Sequence, residues 1–516
     1  MSNEESSKLN LILSECFDDI FLYFENDKKT LYSFLFVNRF WCKIIIPLLW
    51  KYPFSITSKG KEIKTLSSLL NEEEKLEIIK EGFILPPKDF SLILFNYASY
   101  IREYNTSTLY QSIEGWYKDI VYNDFYVRIS YTTHIKAQLK NIFEVFTKLI
   151  MRNSKIIKNL SLSLVHKEIY DIPDINIFIN SHPGFKNIED FEWKISFDAP
   201  NIFFLLKSLK NISHGILNLR IHGNNRIPNN KKDYFNIIVS LIKAQHKLTL
   251  VSLDGIGPEF TPILKVLSIH SNSLTTLQLS QIFKGLSLAP IQQIKNLQNL
   301  SLYKCENLDE SIFNDFTNTD FNLKSLNIDL VKENVLKHLF QLANKNLEKI
   351  SFNINNISSK TDIQNLFIRC SNISNLKIIL KYKIDIFFLS LLENSLTHLT
   401  LFTFHSHSFD HKNEILYQLS KITFPKLKFL NIRLPKLNIL KNYLEITISP
   451  LKKLFFVYSS KINIEYFNVL LEFSKKRKSL KIIGISLNPN DDNFKNFVKI
   501  SKEYLQIIYI FDNISI

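Results

Sequence analysis

An α/β solenoid, in which short strands stack side by side and helices return the chain between them, is the fold this sequence predicts. Three observations predict it. One spacing of apolar residues recurs along most of the 516 residues. The recurrence comes at steps long enough for one strand and one helix and no more. The segments between the recurrences carry apolar residues at helical intervals.

The spacing is plainest in the stretch LQNLSLYKCENL from Leu297 to Leu308. Leu297, Leu300, Leu302 and Leu308 with Cys305 give L-x-x-L-x-L-x-x-C-x-x-L, the leucine-rich-repeat signature. Alternation at Leu300 and Leu302 predicts a strand with one face buried and Asn299, Ser301 and Tyr303 turned outward. A lone strand cannot bury its leucines, so copies must stack on it. The frame, with Ile, Phe or Val allowed for Leu, begins at Leu248, Leu274, Leu297, Leu323, Leu347, Ile373, Leu396, Leu427, Leu451, Leu480 and Leu505, in steps of 23 to 31 residues. Weaker copies begin at Ile157, Ile188 and Ile216. The helical segments include Val335, Leu336, Leu339 and Leu342, then Ile363, Leu366, Phe367 and Cys370, then Phe467, Leu470, Leu471 and Phe473. Strand plus helix in each repeat predicts a horseshoe with strands inside and helices outside. At about 4.8 Å between strands, roughly fourteen strands would line an inner sheet about 60 Å long.

The outward strand positions are polar in the centre: Thr276, Gln278, Ser325, Asn327, Asp329, Lys349, Ser351, Asn375 and Lys377. Toward the C-terminus they read as apolar, at Phe402, Phe404, Phe429, Phe455, Val457, Ile507, Tyr509 and Phe511. A row of exposed aromatics marks an interaction site. Phe402, Phe404, Phe429, Phe455, Val457, Tyr509 and Phe511 are therefore the expected contacts for a protein substrate, the alternative being an irregular fold there or a terminus folded over them.

Residues 9–50 leave the repeat frame. Ile12, Leu13, Phe17, Ile20, Phe21 and Phe24 recur at helical intervals, and Asn26 with Asp27 breaks that helix. A second helix carries Leu31, Phe34, Leu35, Val37 and Trp41, and a third segment with Pro47 ends in Leu48, Leu49 and Trp50. So short a segment cannot hide this many large apolar side chains within itself, which implies a partner surface. The run ILSECFDDIFLYF, then DKKTLYSFLFVNRFW, then LLW resembles an F-box. Ile12 and Leu13 stand at the family's L-P, Glu15 at its acidic position, Ile20 at its Ile, Val37 and Trp41 at V-x-x-x-W, and Leu49 with Trp50 at its L-W end. The departure is Leu13 where the family has proline, which loses a rigid helix start and keeps an apolar contact.

The resemblance implies a helical module that docks on the Skp-type adaptor of a cullin-RING ubiquitin ligase, with Ile12, Leu13, Glu15, Phe17, Ile20, Phe24, Leu31, Val37, Trp41, Leu49 and Trp50 forming the adaptor contacts. It implies a substrate receptor with no active site and no cofactor, whose repeats choose the protein to be modified, in the cytoplasm or nucleus. The alternatives are an ordinary helical cap on the first repeat and a non-catalytic scaffold unrelated to ubiquitin.

Between the module and the repeats, residues 51–155 are expected to be a helical connector, with the solenoid running from 156 to 516. Pro53 and SKGK at 58–61 suggest a turn, Ile63 to Ile79 have helical spacing, PPKD at Pro86 stops them, and Ile135 to Met151 reads as a helix. The aromatics from Tyr104 to Tyr131 show no period; packing against the first repeats and an aromatic platform both fit them.

Composition bounds the rest. No run of 18 uncharged apolar residues occurs, so neither a membrane span nor a secretion signal is expected. Cys16, Cys42, Cys305 and Cys370 form no C-x-x-C pair and read as reduced thiols. The net charge of +15 is spread along all repeats, so no nucleic-acid partner is expected from it. There is no phosphate loop, dinucleotide fingerprint or nucleophile motif. His405, His407, Asp410 and His411 in HSHSFDH form one metal-like grouping, for which exposed loop histidines are the simpler account. The run Lys475 to Lys478 fits either an import signal or cations at a helix C-terminus.

Overall fold

The computed structural model describes residues 20–25, 27–54, 60–83, 94–122, 132–163, 171–181, 184–195, 199–223, 232–255, 257–283, 285–305, 322–330, 333–354, 360–380, 396–406, 411–422, 424–457, 463–485 and 506–509. The chain divides into two compact units, Met1–Thr249 and Leu250–Ile516.

The first unit opens with helices α1 (Lys28–Phe34), α2 (Arg39–Leu49), α3 (Lys61–Ser67) and α4 (Glu72–Lys80). Strand β1 (Glu103–Asn105) follows, then the long helices α5 (Thr106–Tyr122) and α6 (Thr133–Asn153). The chain then alternates β2 (Asn159–Leu162), α7 (Asn176–Ile179), β3 (Asp190–Lys194), α8 (Pro200–Ile212), β4 (Asn218–His222) and α9 (Lys232–Ala244). β1 to β4 pair in chain order, parallel, with Tyr104 opposite Leu160, Leu160 opposite Phe191 and Phe191 opposite Leu219.

The second unit repeats the scheme. β5 (Leu250–Asp254), α10 (Thr261–Val266), β6 (Thr276–Ser280), β7 (Asn299–Tyr303), β8 (Ser325–Asp329), α11 (Glu333–Gln341), β9 (Lys349–Ile354), α12 (Lys360–Arg369) and β10 (Asn375–Leu380) come first. β11 (Leu401–Ser406), α13 (His411–Ser420), β12 (Phe429–Arg433), α14 (Leu437–Ile446), β13 (Lys453–Val457), α15 (Ile464–Arg477), β14 (Ile482–Ile485) and β15 (Gln506–Tyr509) complete it. Again each strand pairs in parallel with the next, and Leu277, Leu300, Leu326, Ile350 and Leu376 stand in one register column, all buried. This is a leucine-rich-repeat architecture: strands β2 to β14 place apolar side chains on the core side, and each strand hands its open edge to its neighbour.

Two frames sit elsewhere than the spacing suggested. β10 pairs Leu376 with Phe402 and Ile378 with Phe404, so the repeat begins at Leu399 and not at Leu396. The stretch from Leu396 to Phe404 satisfies the pattern in both settings, and only pairing decides between them. At the end, Ile483 pairs with Ile507 and Ile485 with Tyr509, which shifts that frame one residue from Leu505.

The segment 51–155 is more than a helical connector, because it contains β1. Its frame is Ile101-x-x-Tyr104-x-Thr106, all three buried. The Thr106 hydroxyl donates to the Ser163 carbonyl at 2.7 Å and accepts the Ser163 amide at 3.0 Å, so a polar residue fills a leucine position by satisfying two backbone groups. The helical run from Ile63 breaks before Asn71, whose side chain accepts the Glu74 amide while Glu74 accepts the Asn71 amide, a capping box that starts α4. Three aromatics of α5 are core: Tyr110, Trp116 and Tyr117 are buried, with Trp116 against Phe83 and Phe146. Gly60 begins α3 at φ 75°, and a Cβ there would lie 2.3 Å from the Trp116 backbone nitrogen, so α3 meets α5 at a distance only glycine allows.

Among the described residues no helix is long and apolar enough to cross a membrane.

Candidate interaction surfaces

The N-terminal module builds a small core first. Phe21, Leu31, Ile45 and Leu49 are buried together, and Phe24, Phe34, Leu35, Trp41 and Trp50 are among the side chains that close around them. The rings meet edge to face: Trp41 lies 5.0 Å from Phe21 at 69° and 5.2 Å from Phe34 at 81°, and Phe24 lies 5.5 Å from Phe34 at 88°. Each such pair adds about 0.5–1.5 kcal/mol beyond the area it buries. Asp27 caps α1, accepting from the Thr30 hydroxyl at 2.6 Å and its amide at 3.1 Å, bonds that hold the carboxyl below its usual pKa. Asn38 caps α2 by accepting the Trp41 amide at 2.9 Å.

This core leaves its sequence neighbours outside. Ile20, Leu22 and Tyr23 flank buried Phe21, Tyr32 follows buried Leu31, and Phe36, Val37 and Phe40 link the two helices, all exposed. Tyr23 and Phe36 are 90% and 89% exposed, values that large apolar side chains rarely reach on a surface without a partner.

The module is tied to the rest of its unit at one end. Trp50 packs on Tyr97 at 4.6 Å, the Lys51 carbonyl accepts the Arg102 amide at 3.0 Å, and Lys28 donates to the Tyr52 carbonyl at 3.0 Å. Lys51 also pairs with Glu25 at 2.5 Å. Burial disfavours the Lys51 charge, but Glu25 and Tyr52 outweigh it and raise the pKa above the usual lysine value.

Of the expected adaptor contacts, Ile20 and Val37 are exposed, and Phe24 and Trp41 are half-buried in the aromatic cluster. Leu31 and Leu49 differ from expectation: the hydrophobic contacts that form the module take them into its own core. Trp50 packs against the module's own core and on Tyr97. Ile12, Leu13, Glu15 and Phe17 lie outside the described residues. Sequence reading missed Tyr23 and Phe36, whose signal is a large apolar residue beside, and out of phase with, the helical core positions.

The expected substrate contacts need more correction. Phe402 and Phe404 face the core, 0% and 2% exposed, because the repeat is framed from Leu399. Phe429 and Phe455 do lie on the opposite strand face, but they meet edge to face at 5.0 Å and are buried, with Leu401 and Ile482 packed against them. They consume one another's apolar surface. Val457 is half-buried, and Tyr509 stands in register with the core position Ile485. Phe511 lies outside the described residues. What this sheet does expose in its centre is mainly polar: Gln278 and Lys349 are exposed, and Asn299, Ser325, Asn327, Asn375 and Lys377 half-buried, with Tyr303 an exposed aromatic beside them.

The weaker motifs resolve in part. Lys475, Lys476 and Arg477 occupy the last turn of α15, where cations complement the helix dipole, and Lys478 ends the helix in the left-handed region at φ 54°. His405 lies in β11 and His411 begins α13; residues 407–410 of that grouping lie outside the described residues. Among the described residues no three or more His, Cys, Asp or Glu side chains cluster as metal ligands would. Cys305 and Cys370 are buried free thiols, pushed up to about 11 by desolvation.

No family model matches the chain, and no curated protein does. Among solved structures it is similar to an internalin from Listeria monocytogenes, at 16% identity over 71% of this chain and 83% of that one, with a TM-score of 0.29. It is similar to the Rad7 and Elc1 complex of yeast at 13% identity over 70% and 83%, TM-score 0.30. A Bacteroides fragilis protein shares 13% identity over 64% and 76%, TM-score 0.25.

Proposed function

We propose that this chain is a non-catalytic substrate receptor of the F-box type: its first helices dock a Skp-type adaptor of a cullin-RING ubiquitin ligase, and its repeats hold the protein to be modified. The observation that carries this reading is the module's division into a closed aromatic core and an exposed apolar rim, Ile20, Leu22, Tyr23, Tyr32, Phe36, Val37 and Phe40. A segment that only capped the first repeat would turn such side chains inward. The tie from Trp50 and Lys51 to Tyr97 and Arg102 suits a receptor, since tethered transfer works through the orientation and effective concentration of the held substrate. Catalysis would belong to the ligase's other subunits.

The test is co-expression with a Skp-type adaptor followed by affinity capture and size exclusion. A stable complex is expected. Ile20→Asp with Phe36→Asp should abolish it while leaving tryptophan emission unchanged, because both residues lie outside the aromatic core. Absence of any complex, or a complex indifferent to both substitutions, rejects the reading in favour of a capping module on an interaction scaffold.

A further inference from the structure

The residues that precede strands β7 to β14 form an unbroken column of backbone hydrogen bonds. The Lys324 amide donates to the Gln298 carbonyl, Glu348 to Lys324, Ser374 to Glu348, Thr400 to Ser374, Lys428 to Thr400, Lys452 to Lys428 and Lys481 to Lys452, all between 2.8 and 2.9 Å. Each residue is thus the immediate neighbour of the next, one strand spacing of about 4.8 Å away. The first part of this column is mixed in sign, Lys324 followed by Glu348. The last part is Lys428, Lys452 and Lys481 in succession, with Lys426 and Lys453 beside them, and all five are exposed.

Like charges directly opposite on neighbouring strands destabilise a sheet. Among the described residues none of these five lysines has a carboxylate partner. The same edge also carries a furrow of about 730 Å³, within the range of ligand sites, lined among others by Asn346, Asn372, Ser374, His398, Thr400 and Lys426. Lys426 is common to both features, so the furrow leads into the cationic row. Its walls carry amides and hydroxyls, which satisfy a peptide backbone's donors and acceptors alike, beside His398 and the charged Lys324, Glu348 and Lys426, so the acidic side chains must reach past Glu348 to the lysine row.

We propose that this edge binds an extended acidic segment of a partner protein, its backbone along the furrow and its carboxylates on Lys428, Lys452 and Lys481. Lysine supplies compact point charges where phosphate recognition favours the arginine fork, and single-stranded nucleic acid favours a row of stacking aromatics, where the furrow lining has one aromatic ring, His398. The chemistry of the bound segment stands on its own; only its meaning, as the feature by which cargo is chosen, rests on the receptor reading above.

The experiment uses the full chain and a fluorescein-labelled peptide of alternating Glu and Ser, read by anisotropy. Binding is expected, weakening as salt rises because the contacts are rim charges. Lys428→Glu with Lys452→Glu and Lys481→Glu should weaken it about tenfold or more, since each exposed pair contributes up to about 1 kcal/mol. The same triple variant should gain affinity for the Lys and Ser counterpart peptide, an exchange that a misfolded chain could not make. Equal binding of a Gln and Ser peptide, no binding of the acidic one, or tighter binding of labelled poly-uridine that the triple variant loses would each overturn the proposal. Adaptor capture by the unsubstituted chain separates the two readings. Capture without peptide binding removes this inference alone, and peptide binding without adaptor capture removes the receptor reading alone.

Discussion

The two units use one strand scheme and treat charge in opposite ways. On the first unit's strand face and edge, basic side chains meet carboxylates. Lys158 meets Glu189 at 2.7 Å, Arg220 meets Asp190 at 3.3 Å, and His222 meets Glu192 at 3.1 Å. The His222 hydrogen bond is the main cause holding the Glu192 carboxyl below its usual range. Helices are braced too: Arg152 of α6 grips Glu74 of α4 with both guanidinium nitrogens, the second at 3.0 Å, and Ser154 donates to the Ile101 carbonyl at 2.7 Å. In the second unit the corresponding edge ends in three adjacent lysines. A surface that must hold a module in a fixed pose spends its polar groups internally, and one that leaves like charges adjacent keeps them for something else.

Each unit carries its own probe, so the contrast can be measured. All four tryptophans, Trp41, Trp50, Trp116 and Trp193, lie in the first unit, while Cys305 and Cys370 lie in the second. Raised from 9.0 to about 11, the two thiols should hold roughly a hundredfold less thiolate near neutral pH than unperturbed ones. Alkylation by iodoacetamide, followed by peptide mass, should be slow at both sites and should rise with pH toward 11 or on unfolding. Labelling as fast as that of a free peptide thiol would mean that the second unit opens readily.

The next effect in size belongs to the first unit. Arg152→Met removes both bonds to a Glu74 carboxylate whose side chain is 6% exposed, and should cost about 2–3 kcal/mol. The loss should show as an earlier denaturant midpoint in tryptophan emission, with the cysteine-labelling midpoint unmoved. A shift in both would mean that the units unfold as one.

Legibility followed chemistry. Leu300 with Leu302 and Leu326 with Ile328 were readable because burial on one strand face imposes a strict period. β1 escaped because Tyr104 and Thr106 hold core positions by hydrogen bonding, Tyr104 to the Thr147 hydroxyl at 3.0 Å, a solution that looks polar in sequence. β11 was misplaced because Leu399 with Leu401 satisfies the pattern as well as Phe402 with Phe404, and the choice depends on Leu376 and Leu430 in the neighbouring strands. The module's core residues were legible from helical spacing, while the division between rim and core was not. Leu31 and Val37 are equally apolar, and only the packing of Phe21, Phe34 and Trp41 decides which is buried.

The smallest effect tests the contrast most directly, by exchanging the two charge patterns. Lys452→Glu places a carboxylate between Lys428 and Lys481 and turns the lysine row into the alternating pattern of Lys158 and Glu189. It should raise the second unit's stability by about 0.2–1 kcal/mol, the range of an exposed cross-strand pair. Glu189→Lys imposes the lysine pattern on the first unit and should lower its stability by a similar amount. Both shifts should shrink as salt rises, because exposed charges are screened within about 10 Å at 0.1 M ionic strength. Paired denaturation curves, labelling for the second unit and tryptophan emission for the first, read the two signs in one chain. Opposite signs would show that the lysine row costs stability in the free protein, as a surface reserved for an anionic partner should. A Lys452→Glu substitution that destabilises would mean the row is already compensated from within the chain, and the contrast between the units would lose its electrostatic basis.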